Sequence, residues 1–108
     1  MKTFYDQSIA FYERGPRGVS PFYIPMSIPD IISGQISIKY GFRGPNFCAV
    51  SACATGSHNI GIAYDMIRYG QSDYSITGGA ESPITKIGIS GFNAMKAMST
   101  RNDDPKAA

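Results

Sequence analysis

Cys53 is the residue of this chain best placed to do chemistry. It follows a short run, Asn46 to Ser51, that reads as a strand, and it precedes a run, Thr55 to Gly70, that reads as a helix. A thiol at the first turn of a helix faces the positive end of the helix dipole and the unpaired N–H groups there. Both favour the thiolate, the reactive form of cysteine. The stretch Val50-Ser51-Ala52-Cys53-Ala54-Thr55-Gly56-Ser57-His58-Asn59-Ile60-Gly61 therefore reads as a poised nucleophile. His58, the only histidine, lies five residues on. That is more than one helical turn away and nearly half a turn round, outside the reach a Cys-His catalytic pair needs. A structural or hydrogen-bonding role suits it better. Cys48, Cys53 and His58 recur at intervals of five, whereas zinc asks for closer pairs and a fourth ligand, so no metal is expected. Cys48 reads as a small buried apolar residue.

The surrounding elements must position this thiol. Ser27-Ile28-Pro29-Asp30 resembles a helix start with a capping serine. Ile31, Ile32, Gln35, Ile36, Ile38 and Lys39 follow, and Gly41 supplies a stop. Gly44-Pro45-Asn46 is a turn. Phe47-Cys48-Ala49-Val50 is a continuous apolar run, as in a strand buried on both faces. In the helix after Cys53, Ile60, Tyr64 and Ile67 form one apolar row and Ile62, Met66 and Tyr69 another, a pattern of interior helices. Gly70 ends it. Asp73 to Gly79 reads as a second strand. Ser82-Pro83 reads as the cap of a third helix, in which Phe92, Met95 and Lys96 are helically spaced. The residues up to about Ser20 show no clear period.

Strand, helix, strand in this order implies a parallel βαβ unit with a right-handed crossover. Cys53 then sits at the carboxyl end of the first strand, where open α/β sheets place their sites. Gly78-Gly79 ends the second strand close to Cys53, where glycines permit a close approach of backbone or substrate, or simply a tight turn.

Composition bounds the function classes. A chain of 108 residues suits one domain with a modest core; 43% of it is hydrophobic and 17% charged, as in globular proteins. The net charge of +2 is small and the basic residues are scattered, which argues against nucleic acid and membrane surfaces. No apolar run approaches the ~20 residues of a membrane span. The opening residues carry an acid and no leader-like apolar stretch, and two cysteines suit a reducing compartment, so a cytoplasmic protein is expected. The polar close, Thr100 to Ala108, reads as a loop leading nowhere, which suggests a segment of something longer.

Several of these motifs resemble one family. Ser51-Ala52-Cys53-Ala54-Thr55-Gly56 with His58-Asn59-Ile60-Gly61 resembles the nucleophile segment of the β-ketoacyl-acyl-carrier-protein synthases, the elongating condensing enzymes of fatty-acid synthesis. Gly15-Pro16-Arg17-Gly18-Val19-Ser20-Pro21-Phe22-Tyr23-Ile24-Pro25 resembles the segment ahead of it. Tyr40-Gly41, Gly44-Pro45-Asn46, Thr77-Gly78-Gly79-Ala80-Glu81, Gly91-Phe92-Asn93-Ala94 and Ser99 to Pro105 follow in family order. The similarity covers nearly the whole chain. His-Asn-Ile-Gly and Thr-Arg-Asn-Asp look most like the type II enzymes, although Ala54 stands where those often carry a hydroxyl, and Ala-Cys-Ala-Thr is closer to type I.

The resemblance implies an α/β, thiolase-like fold of two similar α-β-α-β-α halves, with residues 1–108 a fragment of the first. It implies that Cys53 takes an acyl group from acyl-carrier protein, that malonyl-carrier protein then loses carbon dioxide, and that the carbanion attacks the thioester. The Cys53 N–H matches one oxyanion donor of the family. Phe92 matches a phenylalanine near the acyl pocket, and Tyr23 and Ile24 fall where the family lines the far end of that pocket from across a dimer. The family's two catalytic histidines lie later in its sequence. No cofactor or metal is implied. The partners implied are acyl-carrier protein, malonyl- and acyl-thioesters, and a second copy of the chain in a homodimer, with the edge 46–51 paired across the two-fold.

Alternatives share parts of this pattern. A non-catalytic partner subunit, such as a chain-length factor, has this fold but lacks the cysteine. A polyketide-type ketosynthase would keep it. A cysteine hydrolase of another fold would need a histidine near Cys53, and His58 is badly spaced for that.

Overall fold

The computed structural model describes residues 2–108. Among these residues four α-helices form: α1 (Lys2–Arg14), α2 (Ile31–Tyr40), α3 (Thr55–Arg68) and α4 (Lys86–Ala94). The chain divides into two compact units, 2–23 with 82–108, and Ile24–Glu81.

The second unit carries Cys53. Its first helix, α2, starts at Ile31 with Asp30 as N-cap and no side-chain cap bond. The expected serine cap is three residues early: Ser27 lies in a preceding turn, its N–H donating to the Ile24 carbonyl at 3.0 Å. Pro29 explains the delay, because the residue before a proline is pushed out of the helical region. Gly41 closes α2 as expected, in the left-handed conformation with φ 70°, and its N–H and that of Phe42 both turn back to Ser37 O. Gly70, with φ 71°, does the same for α3, and the N–H of Gln71 returns to Met66 O at 2.8 Å.

The two expected strands are not seen in the structure. Among the described residues no strand forms; 46–51 and 73–79 carry neither helix nor ladder pairing. A strand exists only through its partner's hydrogen bonds, so an apolar run alone does not make one. The α3 side chain of Asn59 links these two segments instead. The interior character read for α3 is corrected too. Thr55, Gly56, Asn59, Ile62 and Met66 are half-buried and Ala63 is buried, so one stripe faces inward, while Ile60, Tyr64, Ile67 and Tyr69 are exposed. Among the described residues nothing covers the row of Ile60, Tyr64 and Ile67.

In the first unit, α1 occupies a stretch that showed no period. Its apolar residues Phe4, Ile9, Phe11 and Tyr12 are exposed, and the inward positions are Thr3, Tyr5, Asp6, Gln7 and the buried Ala10. A polar inner face hides a helix from hydrophobic periodicity. Gly15, with φ 69°, ends α1, its N–H donating to Phe11 O at 2.8 Å. The chain then folds back: Gly18 lies against the helix, and Gln7 Oε1 accepts the Ser20 N–H at 2.7 Å. The cap of α4 is Thr85, not Ser82; its Oγ1 accepts the Gly88 N–H at 3.1 Å. The helix ends at Ala94, so Lys96 lies beyond it, at φ 56°. Ala10 and Ala63 are the only buried apolar residues among those described. Among the described residues no helix is long and apolar enough to cross a membrane.

Candidate functional site

Cys53 is exposed and lies in a 3-10 turn, Ala52–Ala54, that runs directly into α3. The joint is thus a turn-to-helix joint rather than the strand-to-helix joint expected. Three features hold it. The Ala54 N–H donates to Ser51 O at 3.1 Å. The Ser51 N–H donates to Thr55 Oγ1 at 2.8 Å, so the first residue of α3 reaches back across the cysteine. Ser51 Oγ and His58 Nδ1 lie 2.6 Å apart and share a hydrogen bond, which pins the incoming chain to the next turn of the helix.

Between these anchors Ala52 takes φ 49°, in the left-handed region. A non-glycine residue there costs ~1–3 kcal/mol and persists only where its surroundings enforce it. Alanine is the smallest side chain that pays this cost. The result is a tight elbow that presents the Cys53 thiol outward while its backbone leads into the helix N-terminus. The turn leads into the N-terminal end of α3, whose dipole favours developing negative charge.

Glycines supply the expected close approach. A Cβ placed on Gly79 would lie 3.0 Å from Gly56 Cα and 3.2 Å from Gly56 N. The 78–79 segment therefore crosses the first turn of α3 at backbone contact, three residues from the thiol. The reading of Gly78-Gly79 as a mere turn is replaced by a packed crossing.

The other site residues divide between the units. Ile24 lies with Cys53 in the second and is exposed. Tyr23 and Phe92 lie in the first. Tyr23 is half-buried and, with Gln7, Ser8, Phe11 and Val19, lines a shallow depression of about 220 Å³. Phe92 is exposed on α4. His58 is engaged with Ser51. Cys48 is half-buried rather than buried, and both cysteines are free thiols. Among the described residues no group of three or more His, Cys, Asp or Glu side chains is placed to hold a metal ion.

A cysteine on a strained turn is common to several enzyme classes, and comparison with known proteins decides among them. The model of the β-ketoacyl synthase N-terminal domain matches residues 1–108, the whole chain. The chain belongs to the β-ketoacyl synthase family. With that family comes its thiolase-like α/β class. Among the similar proteins, a 3-oxoacyl-[acyl-carrier-protein] synthase 2 of Vibrio cholerae serotype O1 is 52% identical over 99 residues, 92% of this chain and 24% of that protein. The Vibrio harveyi protein of the same name is 50% identical over 99 residues. The Staphylococcus aureus one is 49% identical over all 108 residues, 27% of its length. The chain thus spans about a quarter of the relatives it matches. Their names agree with the type II likeness read in His-Asn-Ile-Gly.

One residue of this synthase segment escaped sequence reasoning. Asn59 Oδ1 accepts the Ala49 N–H at 3.2 Å, and its Nδ2 donates to Ala49 O at 3.4 Å and to Gly78 O at 3.3 Å. The signal was present: Asn59 shares a helical face with Ile62, Ala63 and Met66, and a carboxamide on an apolar stripe needs backbone partners.

Proposed function

We propose that this chain is the nucleophile-bearing part of an elongating β-ketoacyl-acyl-carrier-protein synthase of fatty-acid synthesis. The observation that carries the reading is the exposed Cys53 on its strained turn, inside a sequence that matches the synthase family from end to end. Cys53 sulfur attacks the carbonyl carbon of an acyl-carrier thioester; a carbon–sulfur bond forms, the carrier's carbon–sulfur bond breaks, and the carrier leaves as its thiol with the cysteine's proton. Malonyl-carrier protein then loses carbon dioxide. The electron pair of the broken carbon–carbon bond attacks the acyl-enzyme carbonyl, a new carbon–carbon bond forms, and Cys53 sulfur departs. Each attack places negative charge on a carbonyl oxygen, and the Cys53 N–H at the head of α3 is one donor to meet it.

Several further parts belong to this proposal. Phe92, Tyr23 and Ile24 line the acyl path. Residues 1–108 form part of the first half of the synthase fold, with 46–51 and 73–79 becoming the strands of a parallel βαβ unit once neighbouring strands supply their ladder bonds. The protein works in the cytoplasm as a homodimer, with acyl-carrier protein as its partner and no cofactor. Support for the strand proposal is the half-made state of the edge: among the described residues the backbone of Ala49 meets the side chains of Asn59 and Cys48 and no ladder partner. In the full-length protein, Cys53→Ser should abolish condensation of acyl- and malonyl-carrier protein. Condensation at the wild-type rate in that variant defeats the reading.

A further inference from the structure

The three bonds of Asn59 do more than satisfy a polar side chain. They take up both backbone groups of Ala49, four residues ahead of Cys53, and the carbonyl of Gly78, next to the glycine that crosses Gly56. One carboxamide on α3 thus sets the height of the segment entering the nucleophile turn and of the segment that crosses beside it. Downstream of Ala49, Ser51 is tied to Thr55 and His58, also on α3. The exposed Val50 lies between these ties, and Ala52, with φ 49°, joins Ser51 to Cys53. A shift at Ala49 would pass through Val50 to Ser51 and load the ties that hold Ala52 in its left-handed conformation and Cys53 in place. No ladder bond holds Ala49 in its place; the Asn59 amide meets both of its backbone groups, and the Cys48 thiol adds a 3.4 Å contact to its carbonyl.

We propose that Asn59 is a positioning residue for the condensation, acting through Ala49 and Gly78 to hold the Cys53 turn. This rests on the reading of Cys53 as the nucleophile. Asn and not Asp is required, because two of the three partners are carbonyl oxygens, which need a donor. A carboxylate would keep the Ala49 N–H and face both carbonyls with a second acceptor. Asn59 does not touch the acyl group, so its loss should lower turnover rather than substrate affinity.

The test uses the full-length protein with Asn59→Ala and Asn59→Asp, assayed with acyl- and malonyl-carrier protein per folded active site. Misplacing a reacting group by about an ångström costs on the order of 10²-fold, so kcat should fall about ten- to hundred-fold while KM stays within about two-fold. Acyl-enzyme formation in a single turnover should slow by the same factor. A structural role alone would lower the unfolding midpoint and leave kcat per folded site unchanged; that result overturns the proposal. If Asn59→Ala does not fold, the near-isosteric Asn59→Asp decides. If neither folds, Asn59 is a folding residue and the positioning role is rejected. Cys53→Ser, run alongside, separates the two ideas. Acyl-enzyme in that variant defeats the nucleophile reading, whereas its loss together with wild-type kcat in both Asn59 variants defeats only the positioning role.

Discussion

The crossing of Gly79 over Gly56 makes an asymmetric prediction. A methyl on Gly79 would sit 3.0 Å from Gly56 Cα and 3.2 Å from Gly56 N. Both are helix backbone atoms and cannot rotate away. A methyl on Gly56 would meet Gly79 N at 3.5 Å and Gly79 Cα at 3.7 Å, ordinary van der Waals distances. The same contact should therefore reject alanine on one side and accept it on the other. Overpacking of this kind costs ~1–3 kcal/mol. Alanine for glycine within a helix instead gains up to ~1 kcal/mol. The assay is hydrogen exchange of the amides of 49–59 in the full-length protein, which reports local opening. For Gly79→Ala the opening population should rise about 5- to 150-fold, at tenfold per 1.4 kcal/mol. For Gly56→Ala it should stay level or fall. If Gly79→Ala exchanges like wild type while Gly56→Ala opens the segment, the crossing is not where the structure puts it.

Two other predictions follow from packing. Gly18→Ala should loosen the return of 15–20 onto α1, since its methyl would lie 2.6 Å from Ala10 O and 2.7 Å from Arg14 Cβ; faster limited proteolysis in that segment checks it, and an unchanged rate contradicts it. The 108-residue chain by itself exposes 9000 Å², against roughly 5900 Å² for a folded monomer of its mass. Covering even a few hundred Å² of apolar surface is worth ~25 cal/mol per Å², comparable to the whole ~5–15 kcal/mol stability of a domain. The isolated chain should show no cooperative unfolding and no malonyl-carrier decarboxylation; a sharp, reversible transition from a monomer contradicts this.

The site was more legible than the fold. Cys53 stood out because a thiol, small neighbours and a helix start are local features, and the helix that follows was read to within two residues of its observed end at Arg68. Gly41 and Gly70 were legible for the same reason: a left-handed stop is written in one residue. The strands were not, because 46–51 and 73–79 signal only apolar, extended chain, and pairing depends on neighbours distant in sequence. The first helix escaped because Thr3, Asp6 and Gln7 turn inward where a periodic reading expects apolar residues. Pro29 displaced the start of α2, and Thr85, with its hydroxyl three residues ahead of Gly88, outcompeted Ser82 as the cap of α4. Asn59 was seen as part of a motif without a role, since its partners Ala49 and Gly78 lie ten and nineteen residues away and on both sides of it.

The central claim is that Cys53 carries the acyl group. The most direct test incubates the full-length protein with acyl-carrier protein bearing a fatty acyl chain, then digests it and fragments the peptide that holds both cysteines. The acyl mass should fall on Cys53, which is exposed, and not on the half-buried Cys48, and it should vanish when malonyl-carrier protein is added. An acyl adduct on Cys48, or one that forms undiminished in Cys53→Ser, would contradict the account.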